Sequence, residues 1–357
     1  MRLALAHDYL TQRGGAERVV LEWCREYPDA PLYTSVYNPA GTYEEFAQVD
    51  VRCSPLQRFP PARRDPRLAL PVLPQVWSHA RVDDADVLLV SSSGWAHGIV
   101  VGPAIPKVVY CHNPPRWLYQ SEIYGTTTVE RAAMSVLKPY LLRWDRKAAA
   151  SAQVYIANSH AVAGRIRQAY GIEAEVVFPP VTIDSTGRQT PIDGISPGYF
   201  LAVSRGRGYK NVSRIVEAVG SIPGADLVVI GSGGSAPIGR SAKHVRSLGI
   251  VSDPELRWLY ANARALVTVA FEDFGLTPLE ANSFGTPVAA LRAGGHLDSV
   301  VEGVSGCWIE KPTAAAVRDT LLRLPNFDRT KVMEHAKKFS ASAFRRRIDT
   351  VLESVKQ

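Results

Sequence analysis

Short apolar runs alternate with longer amphipathic stretches along the whole chain. Leu3–Ala6, Val87–Val90, Val108–Cys111 and Val154–Ala157 form a first series. Runs this short and this uniformly apolar predict strands buried on both faces of a parallel sheet. Residues 179–198 are rich in Pro, Gly, Thr and Ser, and the pattern then restarts at Phe200–Val203, Leu227–Ile230, Leu266–Val269 and Val288–Ala290. Helical periodicity marks Ala16–Tyr27, Val129–Ala152, His160–Tyr170, Val212–Ser221, Pro254–Ala263 and Pro278–Phe284. Strands alternating with helices predict a doubly wound α/β sheet. Two series predict two such domains, 1–185 and 186–335, with a helix over 336–357 packing back toward the first.

Composition supports this. A chain of 357 residues, 46% of them hydrophobic, can bury two cores. No apolar run is long enough for a membrane span. Met1–Asp8 turns polar too soon for a signal peptide and reads as a first strand. Cys24, Cys53, Cys111 and Cys307 form no CxxC pair, so neither structural zinc nor a disulfide framework is expected, and cytoplasmic residence is the simplest expectation. The net charge of +7 is uneven: 19 basic and 18 acidic residues in 1–185, 22 and 16 in 186–357. That balance suits an anionic partner. No nucleic-acid reader motif is present, so nucleic acid is not expected. Arg329–Gln357, with eight basic and three acidic residues, reads as an amphipathic helix closing the fold.

Five segments carry candidate chemistry. Glu272-Asp273-Phe274-Gly275-Leu276-Thr277-Pro278-Leu279-Glu280 places one carboxylate on a loop leaving a strand and a second on the following helix, which Pro278 starts. Gly275 admits close backbone approach, and the helix-start amides face an anion. The same spacing also fits an ordinary junction with two solvated acids. Ser204-Arg205-Gly206-Arg207-Gly208-Tyr209-Lys210-Asn211 follows a strand and sets Arg205 and Lys210 to hold a phosphate pair, with Arg207 able to replace either; a plain basic loop reads the same. Gly14-Gly15 can form an anion nest or a ligand-free tight turn. It is not GxGxxG, which argues against a nicotinamide dehydrogenase. Gly231-Ser232-Gly233-Gly234 admits a base or ribose or is a loop. His112-Asn113-Pro114-Pro115-Arg116-Trp117 sets a strand-end histidine among aromatics on which sugar faces pack, although a lone histidine is more often structural. Arg143, Asp145 and Arg146 read as an ion-pair cluster beneath that loop.

Glu272–Glu280 with Gly285-Thr286-Pro287-Val288 and Gly294-Gly295 resembles the signature of retaining glycosyltransferases of family four. His7-Asp8-Tyr9-Leu10, Gly14–Arg18, Ile156-Ala157-Asn158-Ser159 and Phe178-Pro179-Pro180-Val181 extend the likeness through the first half. The His112-Asn113-Pro114-Pro115-Arg116 and Glu272-Asp273-Phe274-Gly275 variants are most similar to a bacterial subgroup that includes O-antigen and exopolysaccharide mannosyltransferases. The resemblance implies a GT-B fold, two Rossmann-like domains facing a central cleft. It implies that Glu272 contacts the donor sugar beside the amides of Phe274, Gly275 and Leu276, and that Glu280 binds the ribose. Arg205 and Lys210 would neutralise the leaving diphosphate. Gly14, Gly15 and His112 would lie on the N-terminal side of the donor. Gly231 and Val251 would lie near the base, and Asn113, Arg116 and Trp117 on the acceptor side. Asp298 stands where Glu is common, and Gly234-Ser235 replaces a more usual proline; both leave base and sugar open.

The expected reaction is transfer from a nucleotide-diphosphate sugar, GDP-mannose first and a UDP-sugar second, to a glycan or lipid-linked acceptor. Arg205, Lys210 and helix amides can stabilise the departing diphosphate with no metal or cofactor. No retaining-hydrolase nucleophile pair is evident. The alternatives are a sugar-nucleotide epimerase of the same architecture and a non-catalytic nucleotide-sugar-binding protein. Finally, Arg52–Arg81 holds six arginines against Asp65, interleaved with Leu56, Phe59, Leu68, Leu70, Val72, Leu73 and Trp77. It suggests an anionic membrane surface, peripheral on the inner face of the cell membrane; six prolines rule out one continuous helix, and the apolar residues also suit a core.

Overall fold

The structure is a computed structural model and describes residues 1–120, 128–203, 211–231 and 244–356. The chain divides into two compact units, Met1–Pro179 with Phe344–Gln357, and Pro180–Ala343.

The first unit is built on a parallel sheet of β1 (Leu3–His7), β2 (Leu32–Thr34), β3 (Val51–Cys53), β4 (Val87–Ser92), β5 (Lys107–Cys111), β6 (Val154–Ala157) and β7 (Glu175–Val176). Their spatial order is β3-β2-β1-β4-β5-β6-β7. Every residue of β1, β4 and β5 is buried, because both sheet faces are covered. Leu88, Val90 and Val109 pack on one side, against Trp77, Trp95 and Ile166. Leu5, Leu89 and Tyr110 pack on the other, against Trp23 of α1 (Gly15–Glu26). Two further helices of this unit are α2 (Thr128–Ala149) and α3 (His160–Tyr170).

The second unit repeats the plan with β8 (Phe200–Val203), β9 (Leu227–Ile230), β10 (Val245–Gly249), β11 (Ala265–Thr268), β12 (Val288–Leu291) and β13 (Gly306–Ile309), ordered β10-β9-β8-β11-β12-β13. Its helices include α4 (Val212–Gly220), α5 (Asp253–Asn262), α6 (Leu276–Ser283), α7 (Ala314–Leu322) and α8 (Arg329–Lys337). All the strand pairings of both sheets are parallel. The two expected Rossmann-like domains are therefore present.

The strand order reverses between β1 and β4 in one sheet and between β8 and β11 in the other. Ligands of such sheets bind beyond the strands' carboxyl ends at that reversal.

The structure refines two boundaries. The basic C-terminal segment is two helices, α8 and α9 (Ala341–Ser354), separated at Lys338–Ser340. Only the later part belongs to the first unit: Phe344, Ile348, Val351 and Leu352 join Trp23 and Tyr110 in one core, and Tyr27 Oη donates to Asp349 at 2.5 Å. At the other junction the change comes after Pro179, because Val181 N–H bonds Phe339 O at 2.8 Å within the second unit.

Candidate functional site

Parallel register assembles the edge of the first sheet. It sets His7 opposite Ser91 and Ser92 opposite Cys111, so His112 follows one residue beyond. His7 Nδ1 lies 3.0 Å from Ser91 Oγ, which lies 2.8 Å from His112 Nε2. Glu17 Oε1 lies 3.6 Å from His7 Nε2. Burial works against a charge on His7, but the carboxylate of Glu17 beside it outweighs that, so its pKa is raised. Burial, with the neighbouring His7, pulls His112 down to about 3 and keeps it neutral.

Neighbouring residues fix this edge. Asp8 carboxylate accepts amides of Ser93 (2.6 Å), Trp95 (2.9 Å) and Ala96 (2.7 Å), tying down the loop after β4. Asn158 Nδ2 donates to His112 O at 3.1 Å. Asn113 is buried; its Oδ1 accepts from Arg165 at 2.8 Å, while its Nδ2 has no hydrogen-bond partner. A buried amide without a partner calls for an explanation, and a ligand acceptor is one. Arg116 opens a helical turn, Arg116–Tyr119, and Trp117 stacks on Trp95 with centroids 4.9 Å apart. Gly14 and Gly15 lead into α1, and Gly14 is extended rather than left-handed. A Cβ there would land on the Glu17 carboxylate, so the glycine makes room for that acid.

The expected Arg143–Asp145–Arg146 cluster is organised differently. Asp145 Oδ1 faces His97 Nε2 at 3.1 Å, and its Oδ2 accepts from Tyr119 Oη at 2.8 Å. Ser92 Oγ lies 3.1 Å from His97 Nδ1. This serine–histidine–aspartate row mimics a hydrolase triad, but all three are buried, so it serves as internal bracing.

In the second unit the loop after β11 is shaped by backbone. Gly275 caps α6 in the left-handed region (φ 87°), and a Cβ there would meet His296 Cδ2 at 2.7 Å. Gly294 and Gly295 lie directly beneath: a Cβ on Gly294 would come within 2.5 Å of Glu272 O, and one on Gly295 would land on Phe274 Cα. Gly295 N–H bonds Glu272 O at 3.0 Å. Phe274 side chain is core and packs on Phe339, so only its backbone remains for a ligand. Glu272 is half-buried, and Leu276 opens α6, whose first-turn amides have no intrahelical acceptor. Glu280, one turn on, accepts Tyr260 Oη at 2.8 Å.

Gly231 follows β9 with φ 117°, and its N–H bonds O of Gly249, the last residue of β10, at 2.7 Å; Val251 comes two residues later in sequence. Arg205 and Lys210 lie outside the described residues. Asn211, the residue after Lys210, is left-handed (φ 49°), and its Nδ2 reaches Val269 O at 3.5 Å. Asparagine tolerates that conformation better than most residues. The bond to Val269 O holds Asn211 at the end of β11.

Among the described residues no group of three or more His, Cys, Asp or Glu side chains could hold a metal ion, and no helix is long and apolar enough to cross a membrane. Sequence reasoning missed Ser91 and Tyr260. A run of three serines at a strand end was the available signal for Ser91; Tyr260 gave none.

Residues 13–185 match the model of Glycosyltransferase Family 4, and residues 195–346 match that of Glycosyl transferases group 1. Each half of the chain thus matches a glycosyltransferase domain model. Among curated relatives, D-inositol 3-phosphate glycosyltransferase of Corynebacterium diphtheriae is 30% identical over 173 residues, 42% of this chain and 40% of that protein. Alpha-1,3/1,6-mannosyltransferase ALG2 of Dictyostelium discoideum is 30% identical over 113 residues, 29% of this chain and 27% of that one. The matched regions thus span less than half of each relative. Among solved structures, HepE of Anabaena in complex with UDP and glucose superposes with a TM-score of 0.69 at 18% identity, covering 99% of this chain and 100% of that one. That likeness is one of fold. The glycosyltransferase domains of this chain thus carry the GT-B pattern of paired Rossmann-like units that the motifs implied.

Proposed function

We propose that this protein is a retaining glycosyltransferase that moves a sugar from a nucleotide-diphosphate donor to a glycan or lipid-linked acceptor without a metal or cofactor. The observation that carries the reading is the loop 271–275, held on Gly294-Gly295 at the reversal point of the second sheet. It offers a half-buried carboxylate, Glu272, and open helix-start amides within a few residues of each other. Glu272 holds sugar hydroxyls. Glu280, with Tyr260 fixing one oxygen, takes the ribose diol. Arg205 and Lys210 stabilise the diphosphate as charge develops on it. The acceptor oxygen attacks the anomeric carbon from the face that the phosphate leaves. The glycosyl–phosphate bond breaks, and the acceptor proton passes to the departing phosphate oxygen. In the first unit, His112 is the catalytic candidate and Asn113, Arg116 and Trp117 are the candidates for the acceptor.

GDP-mannose is the first donor to test, supported by the motif subgroup and by the mannosyltransferase relative; a UDP-sugar is the second. Incubation with a nucleotide-sugar panel tests the reaction class. Donor consumption only with an acceptor supports transfer, interconversion of free donors indicates an epimerase, and binding with neither a scaffold.

A membrane-surface acceptor remains part of the proposal in narrower form. Within Arg52–Arg81, Leu73 and Trp77 are core and Leu56 and Leu70 partly buried, whereas Phe59, Leu68 and Val72 are exposed. Arg52 and Arg81 are paired to Asp50 and Asp83, leaving Arg58, Arg63 and Arg64 as exposed cations beside those apolar tips. The Arg67 side chain lies outside the described residues. Flotation with anionic vesicles at low salt tests this. Salt-sensitive binding lost on charge reversal at Arg63 and Arg64 supports it, and protein left at the bottom of the gradient contradicts it.

A further inference from the structure

Four side chains from four elements stand in line at the carboxyl edge of the first sheet: Glu17 on α1, His7 ending β1, Ser91 in β4 and His112 beyond β5. The steps are 3.6, 3.0 and 2.8 Å. All four are buried, His112 the least at 9% exposed. Gln12 Nε2 holds Glu17 Oε1 at 3.0 Å. A carboxylate, two imidazoles and a hydroxyl are costly to bury unless they satisfy one another.

We infer that Glu17, His7 and Ser91 are positioning residues that set the hydrogen-bond polarity of His112 Nδ1, and that loss of a proton from His7 reverses it. Ser91 has one proton and donates in one direction only. With His7 doubly protonated, His7 Nδ1–H donates to Ser91 Oγ, Ser91 O–H donates to His112 Nε2, and the single His112 proton sits on Nδ1. With His7 singly protonated, its proton stays on Nε2 toward Glu17. Ser91 O–H then donates to His7 Nδ1, His112 Nε2–H donates to Ser91 Oγ, and His112 Nδ1 carries a lone pair. The two states differ by one proton. It leaves from His112 Nδ1, while the Ser91 proton moves to His112 Nε2 and the His7 Nδ1 proton moves to Ser91.

His112 Nδ1 has no hydrogen-bond partner among the described residues and is not sealed from solvent. It is the nitrogen left for a ligand. In the first state it is a donor suited to a phosphate or sugar oxygen; in the second it is an acceptor suited to a hydroxyl. The other groups facing the row are few. Asp8 lies at the end of β1 with its carboxylate taken up by backbone amides. Tyr110 of β5 packs edge-on to His112 at 5.2 Å, and Tyr9 lies 6.5 Å from His7. Glu17 is thus the acid that directly opposes His7, and it favours the donor state. The inference rests on the donor-site reading of His112 given above.

The test needs no substrate. Full-length protein carrying ¹⁵N-imidazole histidine is titrated from pH 5 to 9, and two-bond ¹H–¹⁵N correlations report the His112 tautomer. His112→Asn assigns the signal. The expected result is a proton on Nδ1 at the acid end that moves to Nε2 with a midpoint above 6.5. Glu17→Gln should lower that midpoint by about one unit or more. Ser91→Ala should uncouple the tautomer from His7 altogether. If Glu17→Gln does not fold, Ser91→Ala decides alone. One His112 tautomer throughout, or a swap that survives Ser91→Ala, overturns the inference. Absence of sugar transfer with every donor would contradict the proposed function while leaving this result standing.

Discussion

The two sheets present carboxyl edges of different construction. In the first unit the edge is a row of buried titratable side chains, Glu17, His7, Ser91 and His112, set by strand register. In the second it is backbone: a loop folded over Gly294-Gly295, with Gly275 turning it into α6 and Phe274 anchoring it in the core. The difference divides vulnerability. Changes in proton occupancy reach the first edge, whereas changes in volume reach the second.

The largest effect is expected from the basic residues that follow β8 in sequence. Arg205→Ala and Lys210→Ala should each lower turnover by about 10²–10³ in protein that stays folded. Near-normal product formation by both variants would show that the backbone edge does not work with these charges. Next comes volume. Gly295→Ala should destabilise the second unit by about 3 kcal/mol or more at every pH, since the new methyl lands on Phe274 backbone. Gly164, inside α3 with nothing within 4 Å of an added Cβ, is the matched control: Gly164→Ala should stabilise by up to about 1 kcal/mol. Urea melts of the pair measure the contrast, and equal, small effects would break it.

Proton dependence should trace to the first edge. The lowered pKa of His112 contributes stability that is present above 6.5 and is lost as pH falls from 6.5 toward about 3. The raised pKa of His7 contributes stability that is present below 6.5 and is lost as pH rises through its folded value. Together they place an optimum between the two limbs. In thermal melts against pH, His112→Asn should flatten the acid limb and Glu17→Gln the alkaline limb. Unchanged limbs in both variants would remove the titratable row from the account. The smallest effect is Tyr260→Phe, which removes one hydrogen bond to Glu280 and should cost about 1 kcal/mol in nucleoside diphosphate binding, measured by calorimetry. Glu280→Gln should weaken that binding further, while Glu272→Gln impairs transfer more than binding.

The central strands were legible because each is an uninterrupted apolar run buried on both faces. The edge strands were not: Val51–Cys53 has no buried residue and Val245–Gly249 has one, so neither carries an apolar run. Loop geometry was legible where glycine reports it, as at Gly275 and Gly294-Gly295. Partners across long sequence separations were not. Asp145 stands between two arginines in sequence yet pairs with His97 and Tyr119, because α2 turns it inward against the loop after β4. Ser91 lies in a serine run that reads as a strand end, and only the register of three neighbouring strands shows that it joins two histidines.

Sugar transfer itself is the most direct test of the account. The protein is incubated with GDP-mannose, UDP-sugars and other nucleotide sugars, each with and without glycan and lipid-linked acceptors, and donor, nucleoside diphosphate and product are quantified together. The account predicts that one donor class is consumed only when an acceptor is present, that one nucleoside diphosphate is released per sugar transferred, and that the product keeps the donor's anomeric configuration. Interconversion of free nucleotide sugars without acceptor, or an inverted product, would contradict it.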